Sequence, residues 1–138
     1  MRLWHTQLIP YLPREQLVAQ WRELSAIAGA IEKKGTPNHI LVNFVLDFDY
    51  DNFISYAYYI REEMTRRKYK TMNTVWDKIV SLKPNYTLLP IEDVYKSKMD
   101  IVYLRICCYN LYEKYLCGME LNQESILFIQ DKIDLLPF

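Results

Sequence analysis

Glycine is scarce: among 138 residues it stands only at Gly29, Gly35 and Gly118. Phosphate-cradling loops need several closely spaced glycines so that backbone amides can approach the phosphates, so Walker and Rossmann turns are excluded. Histidine is scarcer, and His5 and His39 stand too far apart to suggest a ligand pair. Cysteine is limited to the neighbours Cys107 and Cys108 and the solitary Cys117, which suits neither a disulfide framework nor a four-ligand zinc site. No metal and no small-molecule cofactor is expected, and the free thiols fit a reducing compartment, the cytoplasm. No apolar run approaches the roughly 18 residues of a spanning helix, and Pro10 and Pro13 interrupt the early apolar stretch. Neither a membrane partner nor a secretory leader is expected. Net charge is also lacking, with 17 basic against 17 acidic residues, which counts against a nucleic-acid binder held by bulk charge.

What is present is a chain that can bury a core, 51% hydrophobic and 25% charged, of a length that fits one domain over residues 1–138. Its neutrality is a cancellation. Through Lys83 there are 12 basic and 9 acidic residues, and from Pro84 onward 5 and 8. With no repeat and no linker, this asymmetry describes two sides of one body. Leu17, Trp21, Leu24, Ala28 and Ile31 recur at helical spacing behind Pro13 and predict a first long helix. A second is predicted after the acidic turn Asp47–Asp51, with Phe53, Ala57, Ile60 and Met64 inward, and a short one around Val75–Leu82. The stretch from His39 to Phe48 fits a strand, buried extended chain or a helix start about equally. Pro90 suits the first turn of a third long helix whose stripe is Ile101, Leu104, Cys108, Leu111 and Tyr115, stopped by Gly118. A shorter helix follows from Asn122 to Ile133. The expected fold class is mostly α, a compact single-domain bundle of three main helices with short extra ones.

Catalytic inventories read directly from the residues are thin. Neither histidine has an evident partner, and Cys107 and Cys108 read as small core residues of the third helix. The run Arg66-Arg67-Lys68-Tyr69-Lys70 interleaves cations with a ring and suits a DNA backbone, yet basic residues at a helix C-terminus also complement the macrodipole. Arg22 beside Glu23 reads, by itself, as an ordinary exposed polar pair.

The helix from Glu15 to Ala30 carries more. Its Arg22-Glu23-Leu24 and following Gly29-Ala30 stand at a fixed distance from Met1-Arg2-Leu3 and from Asn38-His39-Ile40, with Arg61-Glu62-Glu63-Met64-Thr65-Arg66-Arg67 beyond. Together these segments resemble the pyrimidine-dimer DNA glycosylases of the phage endonuclease V type, which are small all-helical enzymes, over residues 1 to 70. The resemblance implies a DNA glycosylase with abasic-site lyase activity on damaged double-stranded DNA; a monomer is expected. In that family the amino-terminal α-amine attacks the sugar C1′ and forms a Schiff base, so Met1 and Glu23 are implied as the catalytic pair. Arg2 and Arg22 are implied as phosphate holders, and the basic helix end, on the reading of its own residues above, adds Arg66, Arg67, Lys68 and Lys70 as candidate DNA contacts. The chemistry is sound in general, because α-amines ionise at about 7.7–8.0 and are partly neutral nucleophiles near pH 7. Three features depart from the family pattern: Met1 replaces a small terminal threonine, Gln16 and Ala26 stand where a histidine and a basic residue are usual, and the chain is neutral. A competing class is a non-enzymatic helical module that binds DNA through the basic helix end or a protein through the acidic carboxyl half.

Overall fold

The computed structural model describes residues 1–134. Five α-helices follow in order: α1 (Arg14–Lys34), α2 (Asp51–Arg66), α3 (Asn73–Val80), α4 (Ile101–Leu116) and α5 (Gln123–Asp134). Three 3₁₀ turns, Thr6–Tyr11, Asn43–Asp47 and Ile91–Asp93, link or flank them, and no strand occurs among the described residues. The mostly α class is therefore correct, with α1, α2 and α4 as the three main helices.

Local chemistry explains most boundaries. Pro13 precedes the first turn of α1, and Gly35 ends it in the left-handed region at φ 73°, its N–H donating to Ile31 O. Leu17, Trp21, Leu24 and Ala28 of the expected stripe are all buried against α2 and α3. Gly29 belongs to packing rather than chemistry: a Cβ there would stand 2.9 Å from Lys78 Nζ on α3. On α2, Phe53, Ala57, Ile60 and Met64 are buried as expected, and so are Ile54, Ser55 and Tyr56, because α2 is covered on several sides. It closes in a Schellman turn in which Tyr69 N–H donates to Met64 O and Lys68, at φ 65°, takes the left-handed position.

Two expectations change. The stretch 39–48 forms a turn and the Asn43–Asp47 3₁₀ helix, one of its three readings in part, with Val42 and Val45 pinning it to the core. Pro90 does not start the third long helix. It opens the short turn Ile91–Asp93, after which the chain passes through a buried Tyr95 at φ 48° whose N–H is held by Asn52 Oδ1. The helix begins instead at Asp100, whose carboxylate accepts from Tyr103 N–H at 2.8 Å, and this moves Ile101 to an exposed first turn. Leu104, Cys108 and Leu111 keep their inward positions. Finally, α5 docks over the first 3₁₀ turn: Ser125 Oγ donates to Tyr11 O, and Phe128 stacks on the Tyr11 ring with centroids 4.2 Å apart.

Candidate active site

The amino-terminal segment lies between α1 and α4, held there by polar contacts as well as by its buried Leu3 and Trp4. Its organiser is Gln20, a glutamine wholly buried on the core side of α1. Gln20 Oε1 accepts from Trp4 N–H at 2.9 Å, and Gln20 Nε2 donates to Arg2 O at 3.0 Å and to Glu23 Oε2 at 3.3 Å. The buried Tyr56 hydroxyl on α2 lies 2.6 Å from Trp4 O and 2.9 Å from Gln20 Oε1, sharing its one proton between them. From the other side, Tyr103 on α4 donates its hydroxyl hydrogen to Leu3 O, and the Arg2 guanidinium sits 4.0 Å from Cys107 Sγ and over the Trp4 ring. One amide thus ties the first residues to the helix that carries Glu23.

Glu23 is half-buried, and burial raises its pKa above the usual 4.5 despite the opposing pull of the amino terminus, Lys114, His39 and Arg22. That set of charges defines the site. The chain's own α-amine, Arg22 of α1, Lys114 of α4 and His39 of the 38–42 turn all lie within electrostatic reach of this carboxylate. His39 is oriented: Leu41 N–H donates to its Nδ1 at 3.3 Å. His5 is instead a buried structural imidazole that accepts from Gln7 N–H, with burial lowering its pKa. Cys107 and Cys108 are both buried, and burial pushes the Cys108 thiol up to about 12, so thiolate chemistry is remote from either. Among the described residues no group of three or more metal-binding side chains occurs, and no helix is long and apolar enough to cross a membrane.

Of the residues picked out in sequence, the Met1 amine and Arg22 lie within electrostatic reach of Glu23, whereas Arg2 is tied to it only through its carbonyl and Gln20, its guanidinium lying at Cys107 and Trp4. The 66–70 run does not join them. It lies against the start of α1, nine residues or about 14 Å along the axis from Glu23, beside a groove of about 1030 Å³ lined in part by Arg14, Gln16, Arg66 and Tyr69. Arg67 is turned inward, pairing with Glu63 at 2.7 Å and donating to the Leu12 and Pro10 carbonyls. Arg66, 65% exposed, also pairs with Glu63, while Lys68 and Lys70 are exposed. A smaller hollow runs along α1 from Arg14 past Val18 to Arg22. Residues absent from the sequence reading are Gln20, Tyr56, Tyr103, Lys114 and Arg14. Gln20 left a signal, a polar residue three positions after Leu17 on the apolar face, whereas Lys114 left none.

Glu63 has a testable role of its own. Burial pushes its carboxyl up, but the hydrogen bonds from Arg66 and Arg67 outweigh it and hold the pKa below 4.5. A lowered folded pKa means the stabilisation is complete above 4.5 and is lost as pH falls through the folded value. Glu63→Gln is expected to lower unfolding free energy by about 1–2 kcal/mol at neutral pH, the Arg66 half being solvent-screened. In urea titrations that deficit should shrink toward zero in acid; a pH-independent deficit would count against the ion pair as its source.

A family model described as pyrimidine dimer DNA glycosylase matches residues 1–77, more than half of the chain. The chain belongs to that family. The match ends within α3, so it contains the amino terminus, Gln20, Glu23, His39 and Tyr56 but not α4. Searches among curated proteins and solved structures gave no match. Membership is a family-level link to DNA repair, and within the family's matched region lies every element of the site except the wall that α4 supplies.

Proposed function

We propose that the protein is a DNA repair glycosylase with abasic-site lyase activity on damaged duplex DNA, acting through the α-amine of Met1. The observation that carries this reading is the placement of the terminal amine within electrostatic reach of the half-buried Glu23 carboxylate, with Gln20 bonded to both the Arg2 carbonyl and Glu23 Oε2. The neutral amine adds to C1′ of the damaged nucleotide. At a dimer it displaces the base, which leaves with the electrons of its C1′–N bond, and the sugar then opens at C1′–O4′ with a proton passing to the ring oxygen; at an abasic site it adds to the aldehyde and loses water, and both routes give the same imine. The imine acidifies the C2′ hydrogen. Glu23 takes that proton, the C3′–O bond breaks with its electron pair leaving on the 3′ phosphate, and water then hydrolyses the imine and restores the amine. A carboxyl with a raised pKa is a stronger base than an exposed one and so suits both proton transfers. Arg22 and Lys114, within electrostatic reach of Glu23, offer positive charge to the phosphates, and Arg14 lies further along the α1 hollow.

Borohydride trapping tests the reading. Protein with a free amino terminus, mixed with abasic or ultraviolet-dimer duplex and reductant, is expected to yield a covalent adduct, and amino-terminally acetylated protein none. Tight binding to both duplexes with no adduct on either would replace the enzyme with a DNA-binding module of the same fold.

A further inference from the structure

Beside the site stands an apolar side chain with no protein to cover it. Ile40 is 89% exposed and its neighbour Leu41 47%. Such exposure in a loose loop would carry little meaning, but this tip is braced. Asn38, at φ 53°, donates its N–H to Thr36 Oγ1, and His39 N–H donates to Asn43 Oδ1. Leu41 N–H is held by the His39 ring, Val42 and Asn43 N–H both donate to His39 O, and the Val42 side chain is wholly buried. The turn therefore holds Ile40 outward and keeps it from folding back onto the core. His39, the preceding residue, lies within electrostatic reach of Glu23. The segment 33–46 contains Lys33 and Lys34 and no carboxylate of its own, with Glu32 and Asp47 at its two ends.

We propose that Ile40, backed by Leu41, is a wedge that enters the base stack of duplex DNA next to the nucleotide being processed. The proposal rests on the lesion-processing reading above, because it needs a duplex centred on Met1 and Glu23. A base pair must be opened before the amine can reach C1′, and apolar side chains pushed between base steps are a general means of holding such an opening. The braced turn supplies the stiffness this needs, and the exposed Lys33 and Lys34 at the end of α1 are available to the phosphates.

The test compares one reaction on two forms of one strand. For Ile40→Ser, adduct formation on an abasic duplex is expected to fall at least about tenfold, since unstacking is no longer offset. On the same strand without its complement, where nothing has to be unstacked, the rate should stay within about twofold of the parent. A 2-aminopurine placed beside the abasic site should brighten when the parent protein binds the duplex and stay quenched with Ile40→Ser, while Ile40→Leu restores the signal. Equal losses on both strand forms, or an undiminished duplex rate, would overturn the wedge. Should the parent form no adduct at all, the lesion-processing chemistry fails, and the dependence of 2-aminopurine brightening on Ile40 still decides the wedge.

Discussion

Glu23→Gln is expected to slow strand cleavage at an abasic site by roughly 10²–10⁴-fold, the usual contribution of a positioned general base, while DNA affinity stays near that of the parent. The substitution preserves the shape of the side chain, and its carbonyl oxygen can still accept from Gln20 Nε2. What disappears is the proton acceptor for C2′ and the negative charge opposite the amine. The same substitution should not destabilise the fold. Because burial raises the Glu23 pKa, the folded state binds more protons than the unfolded state between 4.5 and the folded value, so stability falls as pH rises through that window. At neutral pH the ionised carboxylate is therefore a cost to folding that glutamine removes. Single-turnover cleavage, equilibrium binding and urea unfolding on the same preparation separate these effects. Unchanged cleavage would remove Glu23 from the chemistry, and a clear loss of stability would show that the carboxylate holds the structure together.

A residue that acts at the expense of stability is hard to find by pattern, and this explains what the sequence disclosed and what it hid. The stripes on α1 and α2 were legible because burial at helical spacing is a local property: Leu17, Trp21, Leu24, Phe53, Ala57, Ile60 and Met64 all face inward. The start of α4 was misread because two signals competed. Pro90 suits a helix start, but Asp100 satisfies the orphan amide of Tyr103, and the buried left-handed Tyr95 breaks the chain between them. For the site, Met1, Arg2, Arg22 and Glu23 followed from resemblance to a family, since nothing in their spacing singles them out from an exposed polar pair. The 66–70 run looked uniform in sequence, yet tertiary contacts divide it: Arg67 faces inward on Glu63 and backbone carbonyls, while Arg66, Lys68 and Lys70 remain outside. Lys114 comes from the acidic half of the chain and comes within electrostatic range of Glu23 because α4 packs across the amino-terminal segment. Zero net charge thus says little about the local field, which is set by which cations the fold gathers.

The second large effect is expected at Gln20, which touches no substrate. Gln20→Leu keeps the volume but removes the amide whose two hydrogens and carbonyl oxygen serve Arg2 O, Glu23 Oε2, Trp4 N–H and the Tyr56 hydroxyl. Leaving buried backbone groups of Trp4 and Arg2 without partners should cost about 2–4 kcal/mol of stability. If Gln20 only stabilised the fold, the surviving folded protein would form borohydride adducts at the parental rate. A positioning role predicts otherwise. Without the link between the first residues and the helix, the amine is no longer registered against Glu23, and a displacement of about 1 Å at a reacting group is enough for a 10²-fold loss. Measured well below the unfolding midpoint, adduct formation by Gln20→Leu should therefore fall by roughly 10²-fold with DNA affinity nearly unchanged. Tyr56→Phe makes the finer comparison, because it deletes one hydroxyl and leaves Gln20 its bonds to Trp4, Arg2 and Glu23; its rate should lie between those of the parent and Gln20→Leu. A Gln20→Leu protein that is less stable but traps DNA at the parental rate would show that the glutamine holds the fold and has no part in aiming the amine.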